Sequence, residues 1–159
     1  MRTHPTILGI SPGTRVVGLA IKKNSELVEW RVKTFKGCWN FGKLRDIQYE
    51  LIKYVAKYNV KMIVLKSPDG LRSSSALNKL VSEITVWAKM NRIKIVSYTL
   101  QELKDSFTEG RDSNKAEMIK QLVTAYPELR MEYSREQRNK NPYYIKMFEA
   151  IALVRMIKS

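Results

Sequence analysis

Hydrophobic and polar positions change period twice along the chain. Thr6 to Ile10 is a short apolar run closed by the turn Ser11-Pro12-Gly13-Thr14, and Val16 to Lys22 is a second run. From Glu26 to Phe35, Leu27, Val28, Trp30, Val32 and Thr34 mostly alternate with charged residues, the pattern of a strand covered on one face. Lys23-Asn24-Ser25 supplies a hairpin turn between the second and third runs. Three strands joined by short turns predict an antiparallel meander.

After Gly37 and Gly42 the period becomes helical. Leu44, Ile47, Leu51, Tyr54, Val55 and Tyr58 fall on one stripe of a helix over 43–59. Met62-Ile63-Val64-Leu65 is a continuous apolar run, the mark of a strand covered on both faces, and Pro68-Asp69-Gly70 closes it. Leu77, Leu80, Val81, Ile84 and Trp87 mark a helix over 73–91, opened by serines suited to capping. Ile93, Ile95, Val96 and Tyr98 predict a fifth strand. Asn114 and Glu117 form a capping box for a helix reaching Tyr126, where Pro127 stops it. Residues 130–141 are polar and predicted irregular, and Asn141-Pro142 opens a final helix. The expected architecture is α/β: a mixed five-stranded sheet, meander plus parallel strands, flanked by helices. No repeat, low-complexity tract or linker divides the 159 residues, so residues 1–159 read as one domain.

Composition narrows the class. Hydrophobic residues make up 44% of the chain, which excludes general disorder. No apolar run approaches the ~18 residues that span a bilayer. The opening segment is interrupted by Gly9 and Pro12 and does not read as a signal peptide, so a cytoplasmic protein is expected. Cys38 is the single cysteine, which excludes an internal disulfide or a cysteine-based metal site, and it reads as a half-buried small residue.

Charge changes the picture most. Lys and Arg number 29 against 15 Asp and Glu, a net charge of +14. The first partner to consider is therefore a polyanion, because phosphate contacts release counterions and dominate affinity. A membrane partner is not expected, since no helix combines a basic face with a broad apolar one. The same charge also reads as a device for solubility.

Three segments carry a resemblance. Ile7-Leu8-Gly9-Ile10-Ser11-Pro12-Gly13-Thr14-Arg15-Val16-Val17-Gly18 is similar to the first hairpin of the RuvC-like Holliday junction resolvases, I-L-G-I-D-P-G-S/T-R-x-x-G. Thr108 to Lys115 resembles the family's Gly-rich stretch, with Lys115 matching its basic residue. Phe148-Glu149-Ala150-Ile151-Ala152 resembles its D-A-L-A helix. The resemblance spans nearly the whole chain and implies an RNase H-like fold. It also implies a metal-dependent nuclease, in which carboxylates hold two Mg²⁺ ions about 3.5–4 Å apart that activate water and stabilise the leaving oxygen.

The acids that such chemistry needs are missing at the matching positions. The Asp of G-I-D-P-G is Ser11, the Glu after the buried strand is Lys66, and the D-x-x-D pair falls on Lys146 and Glu149. Four carboxylates at −4 become a set at +1, in which Glu149 alone is anionic. Such a set is a poor Mg²⁺ site, because cation–cation repulsion opposes binding. No catalytic set is therefore intact, and no metal or other cofactor is expected. The expected geometry has Lys146 and Glu149 facing one another, three apart on a helix, with Lys66 arriving from the sheet to complete the pair in place of metal charge. A purely structural Lys–Glu pair is an equal reading, and Ser11 reads as a cap for the turn before Gly13. Asp69, Asp105, Glu109 and Asp112 are candidates for relocated acids but read as turn or cap residues, and His4 as a solvated terminus.

Binding survives the loss of chemistry. Arg15, Arg72, Lys79 and Lys115, with Lys66 and Lys146, are placed near the carboxyl edges of the central strands. Arg135, Arg138 and Lys140 lie in a basic stretch interleaved with Tyr133, Tyr143 and Tyr144, which suits phosphate contact with base stacking or packing under the last helix. The resemblance implies a homodimer on DNA, with an aromatic wedge at the position that is Asp69 here. The leading reading is a catalytically inactive RuvC-like domain that binds branched or double-stranded nucleic acid, DNA being the expected partner. The alternatives are a weak crossover-junction endodeoxyribonuclease that uses Mg²⁺ at Glu149, and a structural or regulatory subunit that keeps the fold for protein partners.

Overall fold

A computed structural model describes residues 5–68, 74–108, 114–138 and 143–157. The elements run β1 (Ile7–Ser11), β2 (Val16–Lys23), β3 (Glu26–Thr34), α1 (Phe41–Tyr58), β4 (Met62–Lys66), α2 (Ser75–Met90) and β5 (Lys94–Tyr98). Helices α3 (Leu100–Thr108), α4 (Lys115–Ala125), α5 (Arg130–Arg138) and α6 (Ile145–Met156) follow, with a 3-10 turn at Pro127–Leu129. The five strands form one sheet in the order β3-β2-β1-β4-β5. β1–β2 and β2–β3 pair antiparallel, and β4 pairs parallel with both β1 and β5. This is the meander plus parallel strands that the periodicity predicts. The β2–β3 turn places Asn24 and Ser25 at φ 50° and 70°, the left-handed conformation of a tight hairpin that matches strand twist.

Strand alternation divides the core. Leu8, Ile10, Ile63 and Leu65 face α1 and α2, meeting Leu44, Ile47 and Leu51 of one helix and Leu80, Ile84 and Ala88 of the other. Ile7, Ala20 and Val64 face the opposite way, onto α6, with Leu103, Met118 and Leu122 of α3 and α4 in the same core. Every residue from Met147 to Val154 is buried, Glu149 included, because α6 is enclosed between the sheet and these helices. Its approach to the sheet needs glycine. A Cβ on Gly9 would lie 2.4 Å from the Ala150 carbonyl oxygen, and one on Gly18 would lie 2.0 Å from that of Lys146. The buried Lys22 of β2 donates to the carbonyls of Val154 and Ile157, satisfying the end of α6.

Two helices differ from the sequence reading. Residues 130–138 are helical rather than irregular. α5 buries none of its residues, so it carries no apolar stripe, and good helix formers such as Arg, Met, Glu and Gln hold it beside the buried Leu129. α3 buries only Leu103 and Phe107, too few for a periodic signal, but Thr99 and Glu102 cap its start reciprocally. The Asn114 cap is as read, its side chain accepting from Glu117 N at 2.8 Å.

Candidate functional site

β3 runs parallel to β1, and so do β4 and β5, so these four strands end on one edge of the sheet. Ser11 and Lys66 are the last residues of β1 and β4. Alternation sends both side chains to the α6 face, Ser11 following Ile7 and Gly9, Lys66 following Val64. Glu149 meets them from α6.

Glu149 is the hub and is 1% exposed. Its Oε1 accepts from Ser11 Oγ at 2.8 Å and from Lys66 Nζ at 3.0 Å. Its Oε2 lies 3.4 Å from Lys115 Nζ in an ionic contact that is not aligned as a hydrogen bond. Burial pushes the Glu149 carboxyl pKa up, but the charges of Lys66 and Lys115, the Lys66 hydrogen bond and Lys146 outweigh it and hold the group below the usual carboxylate range. Glu149 is therefore ionised, and its partners exceed its charge.

Lys146 is placed differently. Its Nζ donates to the Pro12 carbonyl at 3.2 Å, and its stem crosses Gly13, where a Cβ would sit 2.8 Å from Cε. Burial, then the charge of Lys66, lowers its pKa to about 8 against the opposing pull of Glu149. Two expectations are corrected here. Lys66 pairs with Glu149 as expected, but the second ion pair comes from Lys115, while Lys146 donates instead to the Pro12 carbonyl of the β1–β2 turn. Ser11 does not cap that turn, because strand alternation aims its hydroxyl at Glu149.

The RNase H-like nuclease plan implies divalent metal, and the described residues around Glu149 do not fit it. Hard dications need several anionic oxygens, whereas this cluster offers one carboxylate among three lysines. Among the described residues no three His, Cys, Asp or Glu side chains form a metal-holding group. Asp105 is exposed on α3, accepting from Gln101 Nε2 at 2.8 Å. His4, Asp69, Glu109 and Asp112 lie outside the described residues.

The remaining described basic candidates lie outside the Glu149 cluster. Arg15 is exposed in the β1–β2 turn, where its carbonyl accepts from Phe35 N at 2.7 Å. Lys79 is exposed on α2 and pairs with Glu83 at 3.0 Å. Arg135 and Arg138 are exposed on α5, a helix that contributes nothing to the Glu149 cluster. Arg72 and Lys140 lie outside the described residues. Tyr133 and Tyr144 pack against the core, whereas Tyr143 is exposed with its ring edge-on to that of Tyr144 at 4.8 Å. Cys38 is exposed rather than half-buried, because it sits in the segment between β3 and α1.

The architecture has close counterparts among solved structures. It is similar to RuvC of Thermus thermophilus in complex with Holliday junction substrate, at TM-score 0.70 and 14% identity over 94% of this chain and 90% of that one. The chain has the RuvC-like resolvase fold. The yeast mitochondrial Holliday junction resolvase shares it at TM-score 0.67 and 13% identity, over 96% of this chain and 78% of that one. Fowlpox virus resolvase in complex with Holliday junction DNA follows at TM-score 0.58 and 14% identity, over 91% of this chain and 94% of that one. By sequence the chain matches no family model and no curated protein. On this resolvase fold the strand ends and α6 bring Ser11, Lys66, Lys146 and Glu149 together. Lys115 joins them from α4, a contact the sequence reading missed because helix docking alone decides its reach. Among the described residues no helix is long and apolar enough to cross a membrane.

Proposed function

We propose that this chain is a catalytically inactive, cytoplasmic RuvC-like domain that binds the phosphate backbone of branched or double-stranded DNA without metal. The observation that carries the reading is the cluster itself: three lysines around one buried, already paired carboxylate, at the carboxyl edge of the sheet. The carboxylate is held by Ser11 and Lys66, so the cluster keeps a net positive charge, with the Lys115 side chain 41% exposed at its rim. In a two-metal nuclease the metal ions supply positive charge at a phosphate; ammonium groups supply it here without a Lewis acid or an activated water. The solved RuvC and fowlpox resolvase complexes, which hold Holliday junctions, support DNA as the polyanion. The net charge of +14 supports a backbone-led, salt-sensitive mode. A second copy of the chain is a further proposed partner, with Tyr49, Ile52, Val86 and Met90, exposed on α1 and α2, as its candidate contacts.

Lys146 makes the reading testable through pH. Its pKa of about 8 means that it carries most of its charge at pH 7 and loses most of it by pH 9. Phosphate binding favours the charged amine, so DNA affinity falls as pH rises through that range, by up to about tenfold per unit for one linked proton. Fluorescence anisotropy at fixed salt measures it. Lys146→Arg should flatten the profile between pH 7 and 9, and a wild-type affinity independent of pH would remove Lys146 from the interface.

A further inference from the structure

Phe41 leaves 77% of its surface in water at the first position of α1. The segment that presents it is fixed. Asn40 Oδ1 accepts from Lys43 N at 2.8 Å, and the buried Lys43 Nζ donates to the Gly37 carbonyl at 2.8 Å. Gly37 itself takes φ 95°, which an L side chain rarely adopts. Phe41 is thus an apolar ring held out from a fastened turn.

A groove lies beside it. Trp39, Phe41 and Leu44 from one side, and Ser75, Ala76 and Lys79 of α2 from the other, enclose about 340 Å³. That volume falls within the roughly 300–1,000 Å³ of small-ligand clefts. α1 follows β3 and α2 follows β4, and both strands end on the edge that carries Ser11 and Lys66. The groove therefore opens on the edge of the lysine cluster, on the α1–α2 side of the sheet. Neither helix has an acidic residue in its first turn, so nothing in those turns offsets the positive ends of their dipoles. Lys79 adds a full charge at the rim, and its exposed pairing with Glu83 is of a kind that costs little to exchange. Among the described residues that line the groove none is acidic.

We propose that this groove holds one unpaired nucleotide of a bound DNA strand, its base stacked on Phe41 and Trp39 and its phosphate towards Lys79 and the start of α2. An aromatic floor with a cationic rim suits that ligand, because every base has a π-face and every nucleotide a phosphate. The assignment rests on the DNA-binding reading above and gives it a preference for strands that are not fully paired.

The test compares two probes by anisotropy, a blunt duplex and the same duplex with a short single-stranded gap. Wild type should prefer the gapped probe. Phe41→Ala should lower affinity for the gapped probe roughly tenfold, as expected for one lost base–aromatic stack, and leave duplex affinity unchanged. Phe41→Trp should keep the preference. A 2-aminopurine placed in the gap should be quenched by wild type and not by Phe41→Ala. Phe41 is exposed, so its replacement should not alter the melting temperature. If both probes bind and Phe41→Ala changes neither, or weakens both equally, the groove assignment is overturned while the DNA-binding reading stands. If neither probe binds wild type at low salt, the DNA-binding reading itself fails. A dimer that Phe41→Ala dissolves would assign the groove to a second copy of the chain and overturn the proposal.

Discussion

Lys66→Met is expected to destabilise the fold by roughly 3–5 kcal/mol, the cost of leaving a buried charge without its main partner. Glu149 would keep the Ser11 hydrogen bond, the looser contact with Lys115 and the more distant charge of Lys146. Acid should then act in opposite directions on the two proteins. In wild type the Glu149 pKa is depressed on folding, so its contribution is present above the unfolded carboxylate pKa and is lost as pH falls through the folded value. In Lys66→Met burial dominates and raises that pKa, so acidification recovers part of the lost stability. Removing the charge as well, in Lys66→Met/Glu149→Gln, should restore most of the loss, a non-additivity that identifies the pair as the cause. Urea denaturation at pH 7 and at a series of pH values below 4 checks both points. Equal stability of Lys66→Met and wild type would mean that Glu149 does not depend on Lys66.

Gly18→Ala is the other large effect. Its Cβ would fall 2.0 Å from the Lys146 carbonyl oxygen and 2.6 Å from Met147 N, backbone atoms that cannot turn aside as a flexible side chain would. α6 would have to leave β2, and with it the run of buried residues from Met147 to Val154. A loss above about 4–5 kcal/mol is expected, which takes up nearly all the stability of a domain at the lower end of the ordinary range and shows as a strongly lowered or lost melt. Gly42→Ala in α1 is the control. Its Cβ would meet only the Asn40 side chain at 3.2 Å, so a change within about 1 kcal/mol is expected. Thermal denaturation followed by circular dichroism separates the two.

These variants also mark what the sequence makes legible. The order of strands and long helices can be read from apolar pattern, because α1 and α2 each bury a regular face and the central strands β1, β2 and β4 are continuous apolar runs. α3 and α5 escape that reading, since one buries two residues and the other none. The Thr99–Glu102 box was the available signal for α3. At the site, the resemblance implies a lost acid at Ser11 and an inverted charge at Lys66 and Lys146, but it does not give the partners. Which lysine pairs with Glu149 depends on how α4 and α6 dock, and Lys115 lies 34 residues before it in the chain. The role of Gly18 is equally hidden, because the atom that forbids a side chain belongs to a helix more than 100 residues away. The Phe41 groove joins the starts of two helices separated by a strand, so neither segment reveals it alone.

The deciding property of this site is whether lysine, rather than metal, supplies its positive charge. The direct measurement is a four-way DNA junction incubated with the protein in EDTA, then in Mg²⁺ or Mn²⁺, with binding and strand cleavage followed together across a salt series. The prediction is binding in EDTA with a steep salt dependence, and intact strands under all three conditions. Metal-dependent nicking that Glu149→Gln abolishes would contradict it.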